Sequence, residues 1–245
     1  MAPWLVMAGK GGVGTTTVTA LLAVEAGLQG LSTLAVDGSF GSPSLHRSFG
    51  ILDGHEGLPS LENRGRQPEE LLLAATHNVW LLPAGDHAVR DPVLGQGGRA
   101  GVYRRAQGVF GQFDLVLVDA GSTLDSIIPA VELDPAGACL LMEPDRTAMA
   151  GAYALMKVMA DRCPTMPLIP VFNRTHLEQA EDLYNAMNGA TVRFMGARLV
   201  AASHFPKLPA LASGAPVSAG ALSDEGAEAA RHILSRLRRP ARASA

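Results

Sequence analysis

Residues 9–17, GKGGVGTTT, place four glycines and three hydroxyl side chains in nine positions. Glycines at 9, 11, 12 and 14 let backbone N–H groups turn inward without Cβ clashes, and a concave row of amides binds an anion with no help from a side chain. The spacing of Gly9, Gly14 and Thr16 meets the phosphate-loop pattern G-x-x-x-x-G-K-[ST], whose final hydroxyl belongs on a divalent cation. The lysine of that pattern is absent. Thr15 stands in its place, and the only lysine of the loop is Lys10. Thr15 can donate a hydrogen bond but brings no charge to the β- and γ-phosphates.

Two aspartates could complete the chemistry. Asp37 ends the apolar run STLAVD and Asp119 ends FDLVLVD. A carboxylate at the end of such a run is costly to bury alone. Beside a phosphate loop, the pair can hold Mg²⁺ together with its waters, so Thr16, Asp37 and Asp119 are the candidate metal residues. The plainer reading of either aspartate is a strand-terminal cap. Later in the chain, VFNR puts Asn173 and Arg174 at another strand end. An amide offers donor and acceptor together, which suits the edge of a base; the alternative is an ordinary loop asparagine.

The elements that must position these residues are read from hydrophobic pattern. WLVMAG, STLAVDG, NVWLLPAG, FDLVLVDAG, GACLLMEP and MPLIPVFNR are continuous apolar runs closing on polar residues or glycine. Continuous rather than alternating runs indicate strands buried on both faces, hence a mostly parallel sheet. Helical spacing fills the gaps, in TTTVTALLAVEAGLQG, AMAGAYALMKVMADR and HLEQAEDLYNAMNG. The βα alternation predicts the α/β class: one doubly wound, mostly parallel β-sheet with helices on both faces, over residues 1–239, and a basic tail at 240–245. Residues 38–68 and 201–222 read as irregular surface loops with short helices. In such a sheet, ligands sit beyond the carboxyl ends of the strands, where the glycine loop falls.

With those residues in view, KGGVGTTT resembles the deviant Walker A loop of the MinD/ParA family, usually KGGVGKTT. The resemblance runs through nearly the whole chain. LAVDGSFGSPSLHRSFGI is similar to the family segment after the second strand, and FDLVLVDAGSTL to its Walker B and switch II strand. MEPDRTAMAGAYALMKVM and VFNR resemble the flagellar-number regulators of the FlhG branch. GGVGTTT is similar to the loop of BcsQ, the cellulose-secretion branch, and of the pilus-assembly CpaE/TadZ group.

The resemblance implies ATP or ADP with Mg²⁺, held by Gly9, Lys10, Gly11, Gly12, Val13, Gly14, Thr15, Thr16 and Thr17, with Asn173 on the adenine edge and Arg174 beside it. It implies a homodimer in the ATP state, Lys10 reaching the partner's phosphates. Lys10, Asp37 and Ser39 are the implied catalytic positions. The family carries a second aspartate, which positions the hydrolytic water, where this chain has Ser39. A serine is a poor base near neutral pH. Thr15 and Ser39 thus both point to slow or impaired hydrolysis, since losing one transition-state contact often costs ~100–1000-fold in rate. Asp125 and Glu143 are the residues that could compensate.

The implied function is a nucleotide-gated switch controlling placement, number or assembly of a polar or envelope machine, through a protein partner of a flagellar or secretion apparatus. The alternative is a non-hydrolysing nucleotide-binding scaffold of a cellulose-secretion or pilus apparatus.

The rest of the sequence bounds these expectations. The 245 residues carry a net charge of −3 and are 47% hydrophobic, enough for one large core. Arginines scatter and lysines are few, so no specific nucleic acid is expected. Cys139 and Cys163 form no paired motif and read as reduced thiols, which speaks against an iron–sulfur role. The start of the chain has no basic region before its apolar run and reads as no signal peptide. A cytoplasmic protein is expected, with peripheral contact at the inner face of the membrane as an option. That contact would come from the last helix, where Ile233, Leu234 and Leu237 share a face and Arg231, Arg236, Arg238, Arg239 and Arg242 supply charge. The favoured reading of that helix is a domain helix packing its apolar face.

Overall fold

In the computed structural model, residues 1–85, 94–196, 199–200, 202–212, 215–218 and 223–238 are described. The basic tail at 240–245 and Arg239 lie outside them. Among the described residues eight strands form one sheet. In chain order they are β1 (Trp4–Ala8), β2 (Thr33–Asp37), β3 (Leu73–Thr76), β4 (Val79–Leu82), β5 (Leu115–Gly121), β6 (Gly137–Met142), β7 (Leu168–Asn173) and β8 (Ser203–Phe205). The order across the sheet is β3-β4-β2-β5-β1-β6-β7-β8. All neighbours are parallel except the edge pair β3–β4. The expected doubly wound α/β sheet is therefore present.

The helices are α1 (Thr15–Leu28), α2 (Leu45–Ser48), α3 (Gln96–Phe110), α4 (Leu124–Val131), α5 (Arg146–Arg162), α6 (Leu177–Met195), α7 (Pro209–Ala212) and α8 (Asp224–Leu237). Because strand side chains alternate between faces, the core divides in two. Leu5, Met7, Leu34, Val36, Val116 and Val118 pack with Tyr103 and Phe110 of α3, Ile127 of α4 and Met156 of α5. Trp4, Val6, Ala35, Leu117 and Cys139 pack on the other face with Leu21 and Leu22 of α1 and Ile233 and Leu234 of α8. α1 is apolar nearly all round, and its residues from Val18 to Gly27 are all buried, as expected of a helix enclosed between sheet and neighbours.

Three elements depart from the sequence reading. β8 lies inside 201–222, which had read as irregular. It has only three residues and pairs at one edge, so it leaves little periodic signal. β3 is a four-residue edge strand whose side chains are exposed or half-buried. α3 runs through GQGGRAGVYRRAQGVF, where glycines at 97, 98, 101 and 108 lower helix propensity and hide the helix.

The last helix packs as a domain helix. Ile233, Leu234 and Leu237 are buried against the α1 face of the sheet, and Arg231 pairs with the buried Glu25 of α1 at 3.5 Å. Its apolar face is thus occupied within the fold. Among the described residues no helix is long and apolar enough to cross a membrane.

Candidate functional site

The glycine loop leaves β1 and enters α1 at the carboxyl edge of the sheet. Gly12 and Gly14 have φ of 80° and 98°, in the left-handed region that favours glycine. No side chain caps α1, so its first amides stay available to an anion. At its start the loop crosses α5 at backbone contact. A Cβ on Gly9 would lie 2.0 Å from the carbonyl carbon of Gly151.

In front of the loop is a cavity of about 390 Å³. Its walls are glycines and hydroxyls, with Thr15, Thr16, Ser39, Ser42, Ser122 and Ser126 among them, and no described charged side chain lines it. Thr17 is half-buried one position further along α1 and does not line the cavity.

Beneath the cavity, Asp37 and Asp119 are register partners on β2 and β5 and project toward α1. Both are fully buried. Thr16 Oγ1 donates to Asp119 Oδ2 at 2.5 Å, and the Gly121 amide donates to Oδ1 at 3.1 Å. Asp37 braces the following loop. Its Oδ1 accepts from Ser39 N, and its Oδ2 from Ser44 N and Leu45 N, all at 3.0 Å. Burial, then the charge of Asp119, pushes the Asp37 carboxyl up to about 7 despite those amides. Burial also raises Asp119, against the pull of Thr16.

Two buried carboxylates side by side with one hydroxyl form a donor set of hard oxygens, which fits Mg²⁺. Asp119 and Thr16 are the better placed, because the Asp37 oxygens already serve three amides. Among the described residues no group of three or more His, Cys, Asp or Glu could hold a metal, so an ion here would keep several waters or phosphate oxygens.

The cations nearest the loop are paired within the chain. Lys10 Nζ lies 3.3 and 3.2 Å from Asp145 Oδ1 and Oδ2. Asp145 also caps α5, accepting from Thr147 N and Ala148 N at 2.9 Å. The Ala148 amide, then Lys10, holds the Asp145 carboxyl below its usual range. Arg174, in the left-handed region at φ 59°, pairs with Glu143 and reaches the Gly12 carbonyl at 3.4 Å. Glu143 is thereby engaged. Asp125 is exposed on α4 and does not line the cavity.

Asn173 is buried under the loop. Its Nδ2 donates to the Val13 carbonyl at 2.7 Å, and its Oδ1 accepts from Arg174 N at 3.0 Å. It ties the loop to β7, with one N–H and one lone pair to spare.

The fold thus gathers Gly9–Thr16, Asp37, Ser39, Asp119, Asn173 and Arg174 at one edge. The sequence reading missed Asp145, Gly151, Arg99 and Tyr103. Of these only Asp145 carried a local signal, an aspartate directly before a helix.

No family model matches the chain. The Clostridium perfringens iron–sulfur cluster carrier protein is 36% identical over 62 residues, a quarter of this chain and 22% of that protein's length. Among solved structures, septum site-determining protein MinD from Pyrococcus horikoshii, complexed with Mg-ADP, superposes with a TM-score of 0.75. It is 22% identical, over 98% of this chain and 97% of that one. The MinC:MinD cell-division complex of Aquifex aeolicus gives 0.70 at 21% identity, over 96% of each chain. The chain shares the MinD-like P-loop α/β fold.

Proposed function

We propose that the chain is an ATP·Mg²⁺-binding regulatory switch of the MinD/ParA type that dimerises with nucleotide and cleaves it slowly. The observation that carries this reading is the cavity at the sheet's carboxyl edge. It combines a left-handed glycine loop, an uncapped helix start, a wall of hydroxyls and the Thr16–Asp119 pair. Amides and hydroxyls offer many donors to phosphate oxygens. When bound, Mg²⁺ would neutralise phosphate charge beside Thr16 and Asp119.

The chain's own residues then have definite tasks. The loop and the start of α1 bind the phosphates, and Thr15 adds a hydrogen bond without a charge. Asn173 fixes the loop and offers its remaining N–H and lone pair to the adenine edge. Ser39, on the cavity wall, orients water but is a weak base. The positive charge absent at position 15 is supplied by Lys10 of a second copy across a face-to-face dimer. The neighbour captured with MinC supports a partner-binding role for this fold. By its resemblance to the FlhG branch, the partner belongs to a flagellar or other envelope machine.

A second reading, a scaffold that holds nucleotide without turnover in a cellulose-secretion or pilus apparatus, is favoured by one observation: Lys10 and Arg174 are both neutralised within the chain. Steady-state phosphate release with and without added partner separates the two. The switch predicts Mg²⁺-dependent turnover far below ~1 s⁻¹, slow against typical enzymes, that rises with partner. A rate that stays at background with partner present selects the scaffold, and brisk turnover of the isolated protein contradicts both.

A further inference from the structure

Tyr103 of α3 lies on the face of the sheet opposite the two aspartate side chains, and it is completely buried. Among the described residues its hydroxyl has no hydrogen-bond partner. A phenylalanine would fill the same apolar space without leaving a buried polar atom unmatched, so the hydroxyl is retained at a cost. Burial, reinforced by the charges of Asp37 and Asp119, raises its pKa, and the group stays a neutral donor.

Its position is specific. The hydroxyl sits 2.0 Å from where a Cβ on Gly38 would be. Gly38 is the residue between Asp37 and Ser39, and its φ is not in the left-handed region, so its backbone alone does not call for glycine. The close approach of Tyr103 does, together with the Asp119 carbonyl at 2.8 Å from the same point. Phe40 stacks edge-on to Tyr103, with ring centroids 5.5 Å apart.

One turn earlier on α3, Arg99 places its guanidinium 5.4 Å from the centre of the Phe40 ring and donates to the Asp125 carbonyl at 2.8 Å. Arg99 Nε is also buried with no partner among the described residues. Two residues four apart on one helix thus touch both segments that wall the cavity, the 38–44 loop and the β5–α4 junction at 121–126. Each keeps an unmatched donor beneath them.

We infer that Tyr103 is a positioning residue for the loaded site: when the 38–44 loop settles on bound triphosphate, its hydroxyl gains a backbone acceptor there and fixes Asp37 and Ser39 in place. This rests on the nucleotide-binding reading above. It gives the hydroxyl a partner in the bound state alone, which separates it from ordinary packing.

The test compares full-length wild type with Tyr103→Phe, by thermal unfolding in metal-free buffer and by equilibrium binding of a non-hydrolysable ATP analogue with Mg²⁺. The inference predicts that the variant melts at or above the wild-type temperature without ligand, yet binds the analogue about 10-fold more weakly, as for one lost hydrogen bond. A lowered metal-free melting temperature with unchanged affinity would assign Tyr103 to packing and overturn it, as would a variant indistinguishable in both readouts. If wild type itself binds no analogue, the nucleotide-binding reading fails and this inference falls with it.

Gly38→Ala tests the contact separately. It should lower the melting temperature of wild type more than that of Tyr103→Phe, where the obstructing oxygen is gone. Equal losses in the two backgrounds overturn the claimed contact.

Discussion

Lys10 and Asp145 form an ion pair within one chain, 135 residues apart in sequence, with Nζ 3.2 Å from Oδ2. The cation that a second copy would need is therefore held by the capping residue of α5. Asp145→Asn keeps an oxygen for the Thr147 and Ala148 amides but removes the charge that holds Lys10. Both side chains are more than a third exposed, so the fold should lose little. We expect an almost unchanged melting temperature and nucleotide-dependent dimers at protein concentrations up to about fivefold lower, read by analytical ultracentrifugation.

Thr15 and Ser39 both face the cavity, so restoring charge there should be additive to the existing cradle. Thr15→Lys is expected to tighten binding of a non-hydrolysable ATP analogue by about 10–100-fold in dilute protein, the worth of a hydrogen bond to a charged group. Adding Ser39→Asp should raise phosphate release by at least about 10-fold. Equilibrium binding and steady-state phosphate release on the two variants check these separately.

The buried aspartate pair predicts a pH effect with a definite sign. Asp37 moves from 3.8 up to about 7 in the fold. A carboxyl raised on folding favours the protonated native state, so the stability it contributes is present below 3.8 and is lost as pH rises through about 7. In EDTA, the melting temperature should fall between pH 5 and pH 8. Asp119→Asn removes the facing charge, while Thr16 Oγ1 can turn to accept from the new amide. That variant should show a smaller fall. Adding Mg²⁺ to wild type at pH 8 should recover part of the loss.

Glycine in a helix usually weakens it, and Gly→Ala inside a helix gains about 1 kcal/mol. Gly151 should behave oppositely. A Cβ there would come 2.4 Å from the Gly9 carbonyl oxygen, backbone against which no side chain can yield. Overpacking costs about 1–3 kcal/mol and wins, so Gly151→Ala should be destabilised in chemical unfolding and weakened in nucleotide binding.

The βα alternation, the mostly parallel sheet and the glycine loop were legible because buried parallel strands leave unbroken apolar runs and because glycines in a strand–loop–helix context carry backbone meaning. Asp37 and Asp119 were legible as polar ends of such runs. The pairings were not. Nothing local says that Lys10 meets Asp145, that Asn173 holds Val13, or that Tyr103 displaces a Cβ from Gly38. Each of these contacts joins residues brought together only by sheet order. β8 and α3 were hidden for a different reason, one being too short to show a period and the other too rich in glycine.

Removing residues after Arg231 discriminates between surface anchor and core helix. Ile233, Leu234 and Leu237 are each less than 7% exposed, and burying such side chains is worth about 1.5–3 kcal/mol apiece. The truncated chain should unfold or aggregate, and the full chain should not co-sediment with anionic vesicles.

Equilibrium binding of a non-hydrolysable Mg·ATP analogue by wild type and Lys10→Ala, over a range of protein concentrations and with oligomeric state read in the same samples, decides whether a second copy completes the site. A cradle of amides and hydroxyls completed by Lys10 of a second copy predicts that wild-type affinity climbs as dimers form and that the Lys10→Ala affinity stays low and flat. Absence of binding by wild type, or identical curves for the two proteins, would contradict it.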